Sequence, residues 1–263
     1  MQNIALEIRK TIIEMAHKSK GPHVGSALSC ADIMTALYFG VLDIKSPDSD
    51  DRDRFILSKA HSAMALYSAL YHKGWLDEYT LMSYYQNGGS LPAHTDRFTV
   101  KGVEISAGSL GHGLPIALGM AHAFMLRGEK QKVYVLMGDG ETQEGSVWEA
   151  AMLAPALKLS NLTVLIDYNN LQGYGRAREL VSFEPLAEKW RAFGWNAIEV
   201  DGHDHEAIKL AALLESDMPK VVICNTTKGK GVSFMEDELK WHYFLVTEEH
   251  RENALKELNG DAK

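Results

Sequence analysis

A chain of 263 residues with 46% apolar and 24% charged residues has the make-up of a globular protein able to bury a sizeable core. Its formal net charge of −8 argues against a nucleic-acid binder, which would present a basic face, and against a polybasic membrane anchor. Met1 to Lys10 alternates charge with apolar residues, unlike a signal peptide, and no uncharged run approaches the roughly 18 residues of a membrane span. Two cysteines without paired spacing, Cys30 and Cys224, suit buried reduced thiols, so a soluble, cytoplasmic protein is expected.

In chain order, Ile4, Ile8, Ile12 and Met15 share one helical face and predict an amphipathic helix over 4–16. Gly21-Pro22-His23-Val24-Gly25 breaks it, and a second helix after Ser29 carries Ile33, Met34, Leu37 and Tyr38. The polar run 46–53 reads as a surface connection. Arg54 to Ser58 is a short buried strand, followed by Ala60-His61-Ser62 and a helix over 63–72. Another helix is expected over 76–85, ended by Asn87-Gly88-Gly89, and Leu91 to Asp96 forms an irregular loop. The glycine-rich turn 108–115 leads into a small-residue helix over 116–125.

Val133 to Met137 is a β-branched apolar run that breaks at Gly138-Asp139-Gly140, with a helix-like segment behind it. A second run, Leu162 to Ile166, ends in Asp167-Tyr168-Asn169-Asn170. A helix over 185–193, a strand over 196–200, a helix over 205–215 and a strand over 220–225 complete the alternation. Such a pattern predicts an α/β fold, a doubly wound and mostly parallel sheet flanked by helices, over residues 1–225. Residues 226–263 are expected to leave the sheet as a C-terminal extension.

In parallel sheets, ligands sit beyond the carboxyl ends of strands, where helix N-termini offer free N–H groups. Asp139 falls at one such end, between glycines that let the backbone turn sharply and approach a ligand. Asp167, Asn169 and Asn170 are expected at the end of the neighbouring strand. Magnesium takes about six oxygens and usually shares them between a few protein groups and phosphate oxygens. This oxygen set therefore suits a divalent cation bridging a diphosphate. The plainer reading is a tight glycine turn beside surface amides. Against it stands the coincidence of Gly-Asp-Gly, Glu144-Gly145 and two asparagines after a second strand.

Gly138-Asp139-Gly140, Glu144-Gly145 and Asn169-Asn170 resemble the thiamine-diphosphate motif. Together with Gly21 to Gly25, Leu57-Ser58-Lys59-Ala60-His61, Leu91-Pro92-Ala93-His94 and Gly108-Ser109-Leu110-Gly111, in that order, they make the chain similar to the diphosphate-binding half of transketolase, as far as about Gly231. The resemblance implies the thiamine-diphosphate-binding fold, of the type called PP, for residues 1–225. It implies Mg²⁺, or Ca²⁺ or Mn²⁺, on the side chains of Asp139 and Asn169 and the carbonyl of Leu171. Gly138, Gly140 through its N–H, and His61 would border the diphosphate, and Gly108 and Leu110 the cofactor's rings. His23 and His94 would face the substrate, with His242 beside the diphosphate and substrate. Glu144 would join a hydrogen-bond network across a dimer interface. Ketol transfer needs a proton taken from a donor hydroxyl and returned to an acceptor carbonyl oxygen, which neutral imidazole can do near pH 7. After His242 this chain departs from the family, with Tyr243-Phe244-Leu245 where glycine and polar residues are usual. The histidines at 17, 72, 112, 122, 203, 205 and 250 are expected to be structural or surface groups, His112 between its glycines least clearly so.

Transketolases also need a pyrimidine-binding domain, for which a chain of this length has no room. The resemblance therefore implies a split enzyme of α₂β₂ type, active only with a separate C-terminal subunit. It would move a two-carbon ketol unit between sugars. Three other readings stay open. The α subunit of a 2-oxo acid dehydrogenase shares the motif without requiring the histidine loops. 1-Deoxyxylulose-5-phosphate synthase is a closer cousin but one long chain. A non-catalytic thiamine-diphosphate binder would not need the histidines together with the metal ligands.

Overall fold

Five apolar segments align into one all-parallel sheet in the computed structural model, which describes residues 1–260. The strands are β1 (Arg54–Leu57), β2 (Val133–Gly138), β3 (Leu162–Tyr168), β4 (Asn196–Asp201) and β5 (Lys220–Asn225), in the spatial order β1-β2-β3-β5-β4. Central β3 is buried along its whole length, as expected of a strand covered on both faces. The two-residue period sends Tyr134, Leu136, Leu165 and Val222 into one core, and Val135, Met137, Val164 and Ile166 into the other.

Helices α1 (Gln2–Ser19), α2 (Val24–Ser29), α3 (Ala31–Ala36) and α4 (Ala63–His72) cover the first face, and the short α5 (Glu78–Leu81) follows. Helices α6 (Gly113–Arg127) and α7 (Gly145–Ala156) cover the second. After the single turn of α8 (Ala177–Leu180), α9 (Leu186–Ala192) joins them there. Helices α10 (His205–Leu213) and α11 (Glu248–Asn259) return to the first face. Asp204 caps α10 through the N–H groups of Glu206 and Ala207, and Thr247 with His250 forms a capping box on α11. Residues 226–260 fold back over the first face: Val232, Met235, Trp241, Val246, Ala254 and Leu258 join its core, and Arg251 binds Glu14 of α1 at 2.7 and 2.9 Å. Both cysteines are buried and free. Among the described residues, no helix is long and apolar enough to cross a membrane.

Three local readings are corrected. The segment taken as a break after α1 already contains α2, whose Val24, Ala27 and Leu28 are fully buried and reward the early turn. The helix expected over 76–85 shrinks to α5, where only Leu81 is buried and Asp77 caps the Thr80 N–H. Asp167 does not end its strand. β3 runs on through Tyr168, with Asp167 wholly buried inside it, because a lysine from the β1 end neutralises it.

Leu165 lies on β3 with no exposure. Leu165→Ala is expected to cost about 2–5 kcal/mol, read as a lower urea midpoint at an unchanged slope.

Candidate active site

β2 ends at Gly138, level with Asp167 of β3. Asp139 then opens a 3₁₀ turn over Gly140–Gln143 that delivers the chain to α7. Its carboxylate is 4% exposed and accepts the N–H groups of Gly140 at 2.7 Å and Asn170 at 2.5 Å. Asn170 reaches it because its own backbone is left-handed, φ 58°. Burial first, and then the neighbouring Asp167, push the Asp139 carboxyl up to about 6. Its hydrogen bonds come from backbone N–H groups, with no side-chain cation paired directly to it among the described residues. Asn169 and Leu171 line the same cavity as Asp139. Asn169 Oδ1 accepts the Leu171 N–H at 3.0 Å, and the Leu171 carbonyl accepts Lys228 Nζ at 3.0 Å, each oxygen keeping a second lone pair. One carboxylate with amide and carbonyl oxygens is a donor set for Mg²⁺, Ca²⁺ or Mn²⁺. Among the described residues there is no group of three or more His, Cys, Asp or Glu placed to hold a metal ion.

Beneath this turn, Lys59 from the end of β1 pairs with Asp167 in full burial. Burial opposes the lysine's charge, but the carboxylate outweighs it and raises its pKa. Asp167 Oδ1 also accepts Ser29 Oγ at 2.7 Å and Thr226 Oγ1 at 2.5 Å. The Asn169 amide nitrogen donates to Ser29 Oγ at 3.0 Å and Asp167 Oδ2 at 3.3 Å, which fixes its oxygen on the opposite side. Glu141 plays the matching role toward the glycine loop. It accepts Ser58 Oγ and the N–H groups of Gly111 (2.9 Å) and Gly138 (3.2 Å).

Four imidazoles converge above. His23 takes a left-handed backbone, φ 75°, held by its N–H on the His242 carbonyl at 3.0 Å. Its ring centroid lies 5.3 Å from His61, 6.0 Å from His94 and 5.1 Å from His242. All four are neutral near pH 7. Burial and then His94 lower His23 to about 4; burial and then Lys228 lower His242 to about 3. Burial and then Lys59 hold His61 well below the usual value, and burial lowers His94. Lys228 Nζ donates to His242 Nδ1 at 2.8 Å, leaving the proton of that ring on Nε2.

These imidazoles, Asp139 and Asn169 line one cavity of about 390 Å³. Gly138, Gly140, Gly108, Leu110, Leu171 and Glu144 border it as well. The Gly140 N–H points at Asp139 and Gly108 backs onto His94, while Glu144 is exposed at the start of α7. His23 Nδ1, Gln143 Nε2 and Gln172 Nε2 are buried in its lining and find no partner among the described residues. Unpartnered polar atoms around a carboxylate without a side-chain cation fit a polar, anionic ligand carrying a metal. Four other histidines lie outside the cavity: His203 and His205 bind Asp32 at 2.7 and 2.9 Å, His72 meets Thr11 at 2.9 Å, and His112 is exposed.

A family model described as the thiamine diphosphate binding domain of transketolase matches residues 1–259. The chain belongs to the transketolase family. An apulose-4-phosphate transketolase subunit of Phocaeicola vulgatus is 40% identical over 257 residues, 95% of this chain and 91% of that one. The 6-deoxy-6-sulfo-D-fructose transketolase subunit of Clostridium sp. strain MSTE9 is 40% identical over 263 residues, 98% of this chain and 96% of that one. Transketolase from Leishmania mexicana superposes with a TM-score of 0.92 at 30% identity, over 98% of this chain and 41% of the larger one. The chain therefore spans about two-fifths of that solved transketolase and nearly all of the relatives named as subunits. It is a thiamine-diphosphate-dependent transketolase subunit. The 2-oxo acid dehydrogenase alternative falls away.

Lys59, Glu141 and Gln172 line the same cavity and Lys228 binds His242 at its edge, and none of them was singled out by sequence reasoning. A lysine or serine directly after an apolar strand was the available signal for Ser58-Lys59. Nothing local marks Lys228 or Gln172.

The lowered His23 pKa has a measurable sign. Native His23 protonates near 4 and an unfolded histidine near 6.5, so between these values the unfolded chain binds more protons and stability falls as pH falls. His23→Asn keeps a residue that tolerates left-handed backbone. Urea titrations at pH 7 and pH 5 are expected to show a smaller loss of stability in the variant than in the wild type; equal losses would contradict the assignment.

Proposed function

We propose that this chain is the diphosphate-binding subunit of a two-chain transketolase that moves a two-carbon ketol unit from an anionic ketose to an aldose. The observation that carries this reading is the meeting, in one cavity, of a buried carboxylate without a side-chain cation and four neutral imidazoles. Asp139 and Asn169 would hold Mg²⁺ by their side chains and Leu171 by its carbonyl. Gly138, Gly140 and His61 would border the diphosphate, and Gly108 and Leu110 the rings. Thiamine diphosphate, when bound, supplies the nucleophile and the electron sink for carbon–carbon cleavage.

The chain's own residues handle protons and position. His23 and His94, neutral at working pH, take the proton of a donor hydroxyl and return it to an acceptor carbonyl oxygen. His242 presents an Nε2–H fixed by Lys228, suited to donating a hydrogen bond to a substrate oxygen. The two relatives are named for a sugar phosphate and a sulfo sugar, which supports a ketose with a terminal anion as substrate class. Their subunit names support a separate partner chain carrying the pyrimidine-binding domain. We place the assembly in the cytoplasm as an α₂β₂ complex, with Glu144 at the interface between copies, and without contact to nucleic acid or membrane.

Reconstitution tests this. The chain mixed with its partner subunit, thiamine diphosphate and Mg²⁺ is expected to transfer ketol units, and the chain alone is expected not to. Asp139→Ala in the complex should abolish cofactor retention and lower the rate by about 10³-fold or more, the scale set by losing transition-state positioning worth about 4 kcal/mol. Chelation with EDTA should do the same reversibly. Normal transfer by the isolated chain would contradict the two-chain reading, and cofactor retention by Asp139→Ala the metal site.

A further inference from the structure

The segment after His242 is built into the cavity wall. The 3₁₀ turn Leu239–His242 is anchored by Trp241, which is 1% exposed and donates its indole N–H to the Phe234 carbonyl at 2.9 Å. The Lys240 carbonyl accepts the N–H groups of both Tyr243 (3.1 Å) and Phe244 (2.9 Å), which fixes where the next side chain starts. From there the Tyr243 ring stands edge-on to His242 at 4.5 Å between centroids, and 6.1 Å from His23. Its phenol crosses to the loop after β3 and rests on Gly173. A Cβ on Gly173 would come within 2.5 Å of the phenol oxygen and 3.2 Å of Cζ. Gly173 is not among the residues with positive φ, so its missing side chain serves this close approach and not a backbone turn. The Gln172 N–H on the Gly175 carbonyl at 2.9 Å holds that loop tip in place.

Tyr243 therefore bridges two separate segments across one side of the cavity, and half of its surface stays open to a ligand. Tyr243 and Gly173 both line the cavity that holds His23, His94 and His242. Space taken by a fixed aromatic ring is space denied to the sugar. The ring also packs directly against His242 and close to His23, two of the imidazoles proposed to face the substrate. We infer that Tyr243 is a specificity-determining residue, a steric wall that limits which ketoses enter by their length and branching beyond the two-carbon unit. This rests on the transketolase reading of the same cavity.

The test uses the reconstituted complex and ketose phosphates that share the two-carbon head and differ in length and branching beyond it. Tyr243→Gly is expected to narrow the spread of kcat/KM across the panel at least tenfold by improving the poor donors, with thiamine-diphosphate affinity within twofold of wild type. Tyr243→Phe, which keeps the wall and removes the hydroxyl, is expected to keep the wild-type spread. A Tyr243→Gly spread within twofold of wild type, or a Tyr243→Phe spread like that of Tyr243→Gly, would overturn the steric role. A wild-type complex that transfers nothing from any ketose phosphate or sulfo-ketose donor would overturn the transketolase reading and this inference with it.

Discussion

Two carboxylates buried on neighbouring strands, with one lysine between them, set the terms for the whole site. Asp167 sits inside β3, level with Gly138, and Asp139 is the next residue, one past the end of β2. At an effective dielectric of about 20, unit charges about 4 Å apart interact by about 4 kcal/mol, so such a pair cannot stay doubly charged without help. Lys59 settles Asp167, whose carboxyl stays depressed against the cost of burial by that lysine and by Thr226 and Ser29. Asp139 has only backbone N–H groups and is pushed up toward neutrality. The fold thus leaves one carboxylate unsatisfied, at the point where Asn169 and Leu171 present oxygens.

The same lysine links that arrangement to the imidazoles. Lys59 and Lys228 lie beneath the histidine cluster, and their charge adds to burial in keeping His61 and His242 unprotonated. Three imidazoles gathered within about 6 Å of His23 make a cluster that could not carry four charges. Kept neutral, each ring can accept or donate a proton according to its tautomer, which is the property that proton shuttling at a sugar hydroxyl requires. Lys228 ties the two halves together physically, with one proton on the Leu171 carbonyl and another on His242. A change at the metal turn should therefore be felt at the histidines.

What the sequence made legible follows from range. β5 and α4 fall on the residues their apolar patterns mark, because strands buried on both faces write that burial into consecutive side chains. The Gly138-Asp139-Gly140 turn and Asn169 were legible for the same reason, as polar breaks at the ends of apolar runs. Asp167 misled because a charged residue after Ile166 looks like a strand end, and its partner Lys59 is 108 positions away. The start of α2 was hidden by Pro22 and by the left-handed backbone at His23, which depends on the His242 carbonyl for support. Tyr243 could be seen as unusual in sequence, but its seat on Gly173 exists only once the tail and the β3 loop are brought together.

The central claim is that the Asp139 turn and the four imidazoles form one site. Paramagnetic broadening of histidine ring signals by Mn²⁺ with thiamine diphosphate, in the complex with the partner chain, tests it directly. His23, His61, His94 and His242 should broaden at stoichiometric metal. His72, at the far end of α4, and His122, on the part of α6 that runs back toward the start of β3, should broaden least. Equal broadening of all six, or sharp signals from the four cavity imidazoles, would contradict the account.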